Sequence, residues 1–367
     1  MLHSDMTRWY TTRLLSCALV ALVGATQAGE AVRGELVSRG EGAGVERHDL
    51  PPHAVDTAEL PHTRLVADNN GNAALPLYRL GPDSYFLYGN IATIDDDNRG
   101  FNGNAGFVVT GDGVLVIDAL GTPRLGQRLI ASIRSVTDQP IRYLVLTHNH
   151  PDHAYGASAF RELPGVTVIG HPGMQDYLNS ETMQRSVDYR RELLTGDMAG
   201  FAAVTPDRYV PGQRFSSLRI ELGGKTFDIY NAGQHHSQGD LVVYQVEDGI
   251  LWVSDLAFNQ RVTYLGDGDS QQILGGLEWL QENFADARLM VPGHGSAQTP
   301  PFRMLKQTRA YIQQLREMMQ QKLEAGASLM EAMEQADMPQ WRNVPLYRDN
   351  QRANAGFIYR EMEFSFF

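Results

Sequence analysis

The sequence predicts a mixed α/β fold made of two related β-rich halves, with helices at the C-terminus. Three observations point there. From about residue 75, apolar runs of strand length alternate with stretches of helical spacing. The run Gly113-Val-Leu-Val-Ile-Asp118 is echoed by Gly249-Ile-Leu-Trp-Val-Ser-Asp255, each a glycine turn, an apolar strand and a terminal aspartate. Finally, Thr147-His-Asn-His-Pro-Asp-His153 leaves an apolar run, so four metal-ligand-type side chains sit on the turn after a buried strand.

Each element follows from local pattern. Residues 84–88 and 105–110 read as strands, and Gly111-Asp-Gly113 turns the second back into Val114-Leu-Val-Ile117. Pro123 opens a helix with Leu125, Leu129, Ile133 and Val136 on one face. A strand over 141–147 leads to the histidine turn. A short helix over 154–163 stops at Pro164-Gly165, a strand covers 166–169, and 172–194 is mostly helical. Residues 218–222, 225–230, 241–246, 250–253 and 289–292 read as the strands of the second half. A long amphipathic helix is expected over 302–324 and another near 329–336, and the aromatic tail 354–367 is expected to pack back.

Composition bounds the function. The chain has 367 residues, 43% hydrophobic and 20% charged, enough for a large core. A net charge of −12 disfavours nucleic acid and anionic lipid as partners. Residues 1–28 read as a secretory signal: Arg8 and Arg13, then an apolar run over 14–23, then Ala25-Thr-Gln-Ala28. That run is too short to span a bilayer comfortably, so no stable membrane association is expected after cleavage. The sole cysteine, Cys17, lies in this segment, so the processed chain has no thiol nucleophile and no Cys-liganded metal. Export to a bacterial periplasm or beyond fits. Residues 29–74 read as a linker or N-terminal arm without helix or strand period, with His48, His53 and His62 as solvated loop histidines. The oligomeric state has no signature in the chain.

Three further segments complete a constellation. Gln234-His-His-Ser-Gln-Gly-Asp240 offers a histidine pair, with His235 the alternative to His236. Asp255 ends a strand, and Val291-Pro-Gly-His294-Gly places a histidine in a glycine turn where the backbone can approach closely. A lone histidine of this kind is most often structural. Seven such groups at successive strand ends are not.

His148-Asn-His150-Pro-Asp152-His153 resembles the H-x-H-x-D-H signature of the metallo-β-lactamase-fold hydrolases. The resemblance extends in order to His236, Asp255 and His294, over about residues 75–300. The branch it is most similar to is that of glyoxalase-II-like enzymes and the exported zinc hydrolases of quinoprotein relay systems. The resemblance implies a four-layer αββα sandwich with two mixed sheets over 75–300, followed by a helical extension over 301–367. It implies two zinc ions, with iron or manganese as alternatives: one on His148, His150 and His236, the other on Asp152, His153 and His294, bridged by Asp255. A hydroxide between ions about 3.5–4 Å apart would attack the substrate, and Asp152 would orient it and pass a proton to the leaving group. The implied substrate is a small ester, thioester, lactone or amide. A mononuclear iron persulfide dioxygenase, a β-lactamase and a non-catalytic metal-binding accessory protein are the alternatives. Asp118 is expected to orient a ligand from behind. His171, Asp240 and the acidic run Asp95-Asp-Asp97 are expected to be structural or solvated, and Tyr155 either contacts substrate or packs. Loops near 90–104, 172–215 and 259–275 are expected to set specificity.

Overall fold

The computed structural model describes residues 31–32, 35–38, 43–48, 60–65 and 73–366; residues 1–28, expected to be a secretory signal, lie outside these. Chain order begins with β1 (Ala31–Val32), β2 (Glu35–Ser38), β3 (Ala43–His48), β4 (Leu60–Leu65), β5 (Leu77–Arg79), β6 (Ser84–Leu87), β7 (Ala105–Val109) and β8 (Val114–Ile117). It continues with α1 (Pro123–Arg134), β9 (Ile141–Val145), α2 (Pro151–Ala154), α3 (Ala157–Phe160), β10 (Thr167–Gly170), α4 (Met174–Leu178), α5 (Glu181–Leu193) and β11 (Arg208–Tyr209). The second half holds β12 (Ser217–Leu222), β13 (Lys225–Gly233), β14 (Asp240–Gln245), β15 (Ile250–Ser254), α6 (Ser270–Asn283), β16 (Leu289–Pro292) and β17 (Ala297–Gln298). Then come α7 (Arg303–Glu324), α8 (Leu329–Glu334) and α9 (Tyr347–Phe366).

Two mixed sheets result, ordered β11-β10-β9-β8-β7-β6-β5-β2 and β1-β17-β16-β15-β14-β13-β12. Their facing sides interdigitate through Phe86, Ile117 and Val145 on one sheet and Phe227, Trp252 and Val291 on the other. On the outer side of the first sheet, Leu125, Leu129 and Ile133 of α1 cover Phe107, Val116 and Leu144. On the outer side of the second, Leu277, Ile312, Leu315 and Ile358 cover Leu251 and Val253. Helix, sheet, sheet and helix thus form the expected αββα sandwich, each layer using one apolar face per element.

The repeated glycine–strand–aspartate run has a structural meaning. β8 lies between antiparallel β7 and parallel β9, and β15 lies between antiparallel β14 and parallel β16. Counted from the glycine, Asp118 corresponds to Ser254, and both have positive φ, 61° and 46°. Asp255 lies one residue further on.

Several elements differ from their sequence expectation for identifiable reasons. The histidine turn is partly helical. Pro151 opens α2, where its missing N–H leaves no bond unmade, so Asp152 and His153 ride on the first helical turn. The helix expected over 154–163 is the shorter α3. The helix expected over 172–194 breaks before Ser180, whose hydroxyl caps α5 by accepting the Met183 N–H at 3.1 Å. The unforeseen α6 is capped by Asp269, and Gly275-Gly276 lowers its helical signal. In the arm, β1 pairs with β17 and β2 with β5, extending both sheets through backbone pairing that needs no apolar alternation. His48 and His62 fall on the β3–β4 pair, and His53 lies outside the described residues.

The C-terminal tail packs back as expected, and it holds the segment between β15 and α6. Phe258 N–H donates to Thr308 Oγ1 at 2.9 Å, Val262 N–H to Pro345 O at 2.9 Å, and Leu265 N–H to Asn354 Oδ1 at 2.9 Å. Asn350 and Asn354 return bonds to the Val262 and Thr263 carbonyls.

The two sheets meet closely at Gly106, where a Cβ would lie 2.2 Å from Trp252 Cη2. Gly106→Ala is expected to destabilise the fold by about 2–3 kcal/mol through overpacking. In chemical denaturation, shortening Trp252 to Leu in the same chain should recover part of that loss; simple additivity of the two substitutions would show that the contact is not what matters.

Candidate metal centre

The groups singled out in the sequence come from strand ends on both sheets. Behind them lies a hydrogen-bonded floor. Asp118 accepts the Thr147 N–H at 2.8 Å and its hydroxyl at 2.9 Å, and Thr147 Oγ1 lies 2.7 Å from Ser254 Oγ. These bonds join the ends of β8, β9 and β15 directly beneath the histidines.

Most of the imidazoles are anchored by the nitrogen that faces away from the cluster. His148 Nδ1 pairs with Thr147 Oγ1 at 3.1 Å, and His153 Nδ1 with Asp118 Oδ2 at 2.9 Å. His294 Nδ1–H donates to the Asn102 carbonyl at 2.6 Å, and His150 Nε2 pairs with Asp267 Oδ2 at 3.0 Å. Anchoring one ring nitrogen sets the tautomer and aims the other. The free faces converge. The ligand atoms of His148, His150 and His236, of His148, His153 and Asp255, and of Asp152, His153 and His294 lie within 4.8 Å of one another in each set.

Asp255 stands between the sets. Its Oδ2 is 3.2 Å from His236 Nε2 and 3.3 Å from His294 Nε2, and its Oδ1 is 3.5 Å from His153 Nε2. Asp152 Oδ2 lies 3.4 Å from His294 Nε2 and accepts a bond from Asn102 Nδ2 at 3.4 Å. The close approach of Asp255 needs a glycine opposite: a Cβ on Gly293 would sit 1.9 Å from its Oδ1.

This is a costly arrangement for a protein interior. His148, His153, His236, His294 and Asp255 are all buried, while His150 and Asp152 reach the surface in part. Burial, reinforced by His153 and His150, holds His148 well below the ordinary histidine range. Burial and then Arg261 lower His294. Burial also opposes charge on His153, but Asp152, Asp255 and Asp118 outweigh it and raise the group to about 9. Asp152 and Asp255 stay well below the carboxylate range despite burial, held there by the surrounding imidazoles. His148 Nε2 and Asp255 Oδ1 are buried without a hydrogen-bond partner. Unpartnered buried donors of electron pairs, all nitrogen and oxygen and none sulfur, fit divalent ions of the zinc, iron or manganese kind.

The other sequence candidates resolve by position. His236 joins the cluster; His235 turns away and packs on α6, where a Cβ on Gly276 would lie 2.5 Å from its Nε2. His171 is held by Asn231 Oδ1 at 2.9 Å and the Gly173 N–H at 2.9 Å. Asp240 Oδ2 accepts the N–H groups of His235, His236 and Ser237 and so shapes the histidine loop. The Tyr155 hydroxyl is 2.9 Å from that of Tyr177. Asp95 accepts local N–H groups in its own turn, and Asp96 pairs with Arg99 at 3.0 Å. Sequence reasoning missed Asp267, Asn102 and Ser254. The first lies in Gly266-Asp-Gly268 and the second in Phe101-Asn-Gly-Asn104, both of which read as plain turns.

Residues 98–316 match the family model described as the metallo-beta-lactamase superfamily. A linear primary-alkylsulfatase of Pseudomonas sp. (strain ATCC 19151) is 35% identical over 49 residues, which is 13% of this chain and 9% of that protein. Among solved structures, a metallo-beta-lactamase from Pontibacter korlensis is 20% identical, with a TM-score of 0.52, covering 65% of this chain and 98% of its own. A stereoselective inverting sec-alkylsulfatase from Pseudomonas sp. is 16% identical, with a TM-score of 0.60, covering 77% of this chain and 49% of its own. The chain therefore spans about half the length of that sulfatase, and at these identities the structural likeness is one of fold.

Asp267→Ala frees the outer nitrogen of His150, and metal affinity measured by chelator competition is expected to fall about 10–100-fold with the fold intact. Unchanged affinity would remove Asp267 from the site.

Proposed function

The chain belongs to the metallo-beta-lactamase superfamily and is a metal-dependent hydrolase of that fold, and from this premise we propose that it is an exported enzyme with a dinuclear centre acting on small esters, thioesters, lactones or amides. One observation carries the dinuclear reading. Asp255 Oδ2 lies within 3.3 Å of a histidine nitrogen from each of two separate donor sets. His148, His150 and His236 would hold one ion, Asp152, His153 and His294 the other, and Asp255 would bridge them. Zinc is the first candidate. Bound there, the ions would supply an acidified water and Lewis-acid stabilisation of a developing oxyanion.

The chain's own residues would do the rest. Asp152, partly exposed and kept ionised, is placed to take a proton on Oδ2 and return it to a leaving group. Asp118, Thr147 and Asp267 keep the imidazoles aimed. A small apolar cavity of about 20 Å³ adjoins the histidine turn, lined by Asn149, Tyr155, Met174, Tyr177, Met183 and Phe201. The sulfatase relatives add sulfate esters to the compounds worth assaying. The N-terminal segment supports export.

Asp255→Ala is expected to cut metal content from two ions per chain to one or fewer and to lower turnover about 1,000-fold or more. Elemental analysis with an ester, thioester, lactone and sulfate-ester panel tests this; one iron per chain with oxygen consumption in the wild type would sink the hydrolase reading. His236→Ala is expected to lose metal while His235→Ala retains it, and the reverse result would reassign the loop histidine.

A further inference from the structure

Two of the loops expected to set specificity, 90–104 and 172–215, are joined by an ion pair largely closed to water. Asp197, in the turn after α5, is buried, and Arg99 keeps only 14% of its side chain exposed. Arg99 Nε donates to Asp197 Oδ2 at 2.7 Å, and its Nη2 donates to the Thr195 carbonyl at 3.2 Å. The same carboxylate faces Arg124 Nε at 3.4 Å, at the start of α1. Arg99 makes these bonds from a left-handed backbone, φ 51°, with Gly100 following at φ 84°. A residue with a side chain holds that conformation only where its surroundings enforce it, and such strain gathers at functional sites.

The strained turn leads straight to the cluster. Three residues after Arg99, Asn102 touches two donors of one set: its carbonyl accepts the His294 Nδ1–H at 2.6 Å, and its Nδ2 donates to Asp152 Oδ2 at 3.4 Å. The far end of this stretch is fixed by Asn104. Its N–H donates to the Gly293 carbonyl at 2.7 Å, and its Nδ2 donates to the Pro292 and Gly295 carbonyls at 2.9 Å each. Between the two anchors the chain runs hard against the ligand turn. A Cβ on Gly103 would lie 2.6 Å from the Asp152 carbonyl oxygen, and one on Gly121 would lie 2.6 Å from that of Gly100. His148 and His150, of the other set, are held instead by Thr147 and Asp267.

We propose that Arg99 and Asp197 are positioning residues: their ion pair latches the 99–103 span so that Asn102 holds His294 and Asp152 in place for the second ion. This rests on the dinuclear reading above and deepens it, since one of the two donor sets depends on the latch and the other does not. A charge-assisted bond suits the task because it is short and directional where water is excluded. Support from behind a metal ligand governs how well that ligand binds.

The test uses the full zinc-loaded chain with its histidines labelled with nitrogen-15. Arg99→Gly removes the guanidinium and suits the left-handed backbone, while Asp197→Asn keeps the shape of the partner without its charge. In both variants the His294 Nδ1 proton should exchange with solvent about tenfold faster or more, while the His153 Nδ1 proton beside Asp118 exchanges as in the wild type. Arg99→Lys, which can still pair with Asp197, should fall between Arg99→Gly and the wild type. Chelator competition gives a second readout. In a His150→Ala chain, where the first set is broken, Arg99→Gly should weaken the remaining ion about tenfold. In a His294→Ala chain, where the second set is broken, it should leave the remaining ion unchanged. Equal quickening of both ring protons, or equal loss of affinity in both backgrounds, would mark a general loosening and overturn the latch, as would wild-type exchange at His294. A wild type that binds only one ion would count against the dinuclear reading, and the comparison of ring protons would still decide the latch.

Discussion

Seven polar groups pressed together at the seam of two sheets are the constraint on which the rest of this structure depends. Asp255 sits within 3.5 Å of three imidazole nitrogens, and most of the cluster is closed off from solvent. A protein interior tolerates such a group only if each member is held from behind and the whole has a counterpart of suitable charge. The Asp118–Thr147–Ser254 floor answers the first need by joining three strand ends from both sheets. The positive φ at Asp118 and at Ser254 belongs to the same solution, since it turns the chain sharply where each strand must deliver a side chain to the seam. A divalent pair would answer the second need.

The layers outside the seam make that placement possible. Trp252, packed against Gly106, joins the sheets close to where β15 delivers Ser254 and Asp255. The C-terminal helices do more than cover the second sheet. Through Thr308, Pro345, Asn350 and Asn354 they hold the segment carrying Arg261, which leads on to Asp267. A region far along the chain therefore shapes the rim of a site whose first members are read at residue 148. One carboxylate of that rim, Asp267, supports the imidazole of His150.

Much of this was legible in the chain because the chemistry is concentrated in short motifs. The run from His148 to His153 declares its ligand character by composition, and His236, Asp255 and His294 repeat the same logic at later strand ends. The strands are legible because their apolar runs are bounded by glycine turns. What stayed hidden has no local mark. Asp267 and Asn102 lie in turns that would look the same without any function. The edge strands β1 and β2 were missed because pairing uses backbone groups, which no side-chain pattern reports.

The choice between His235 and His236 shows where the two kinds of information part. Sequence alone determined the kind of fold, the residue types at the site and their order, because periodicity and ligand chemistry are properties of short segments. The tertiary structure decided which of two adjacent histidines faces the cluster and that Asp255 stands between two donor sets. Those are questions of distance between residues far apart in the chain, and distance is set only when the two sheets close on each other.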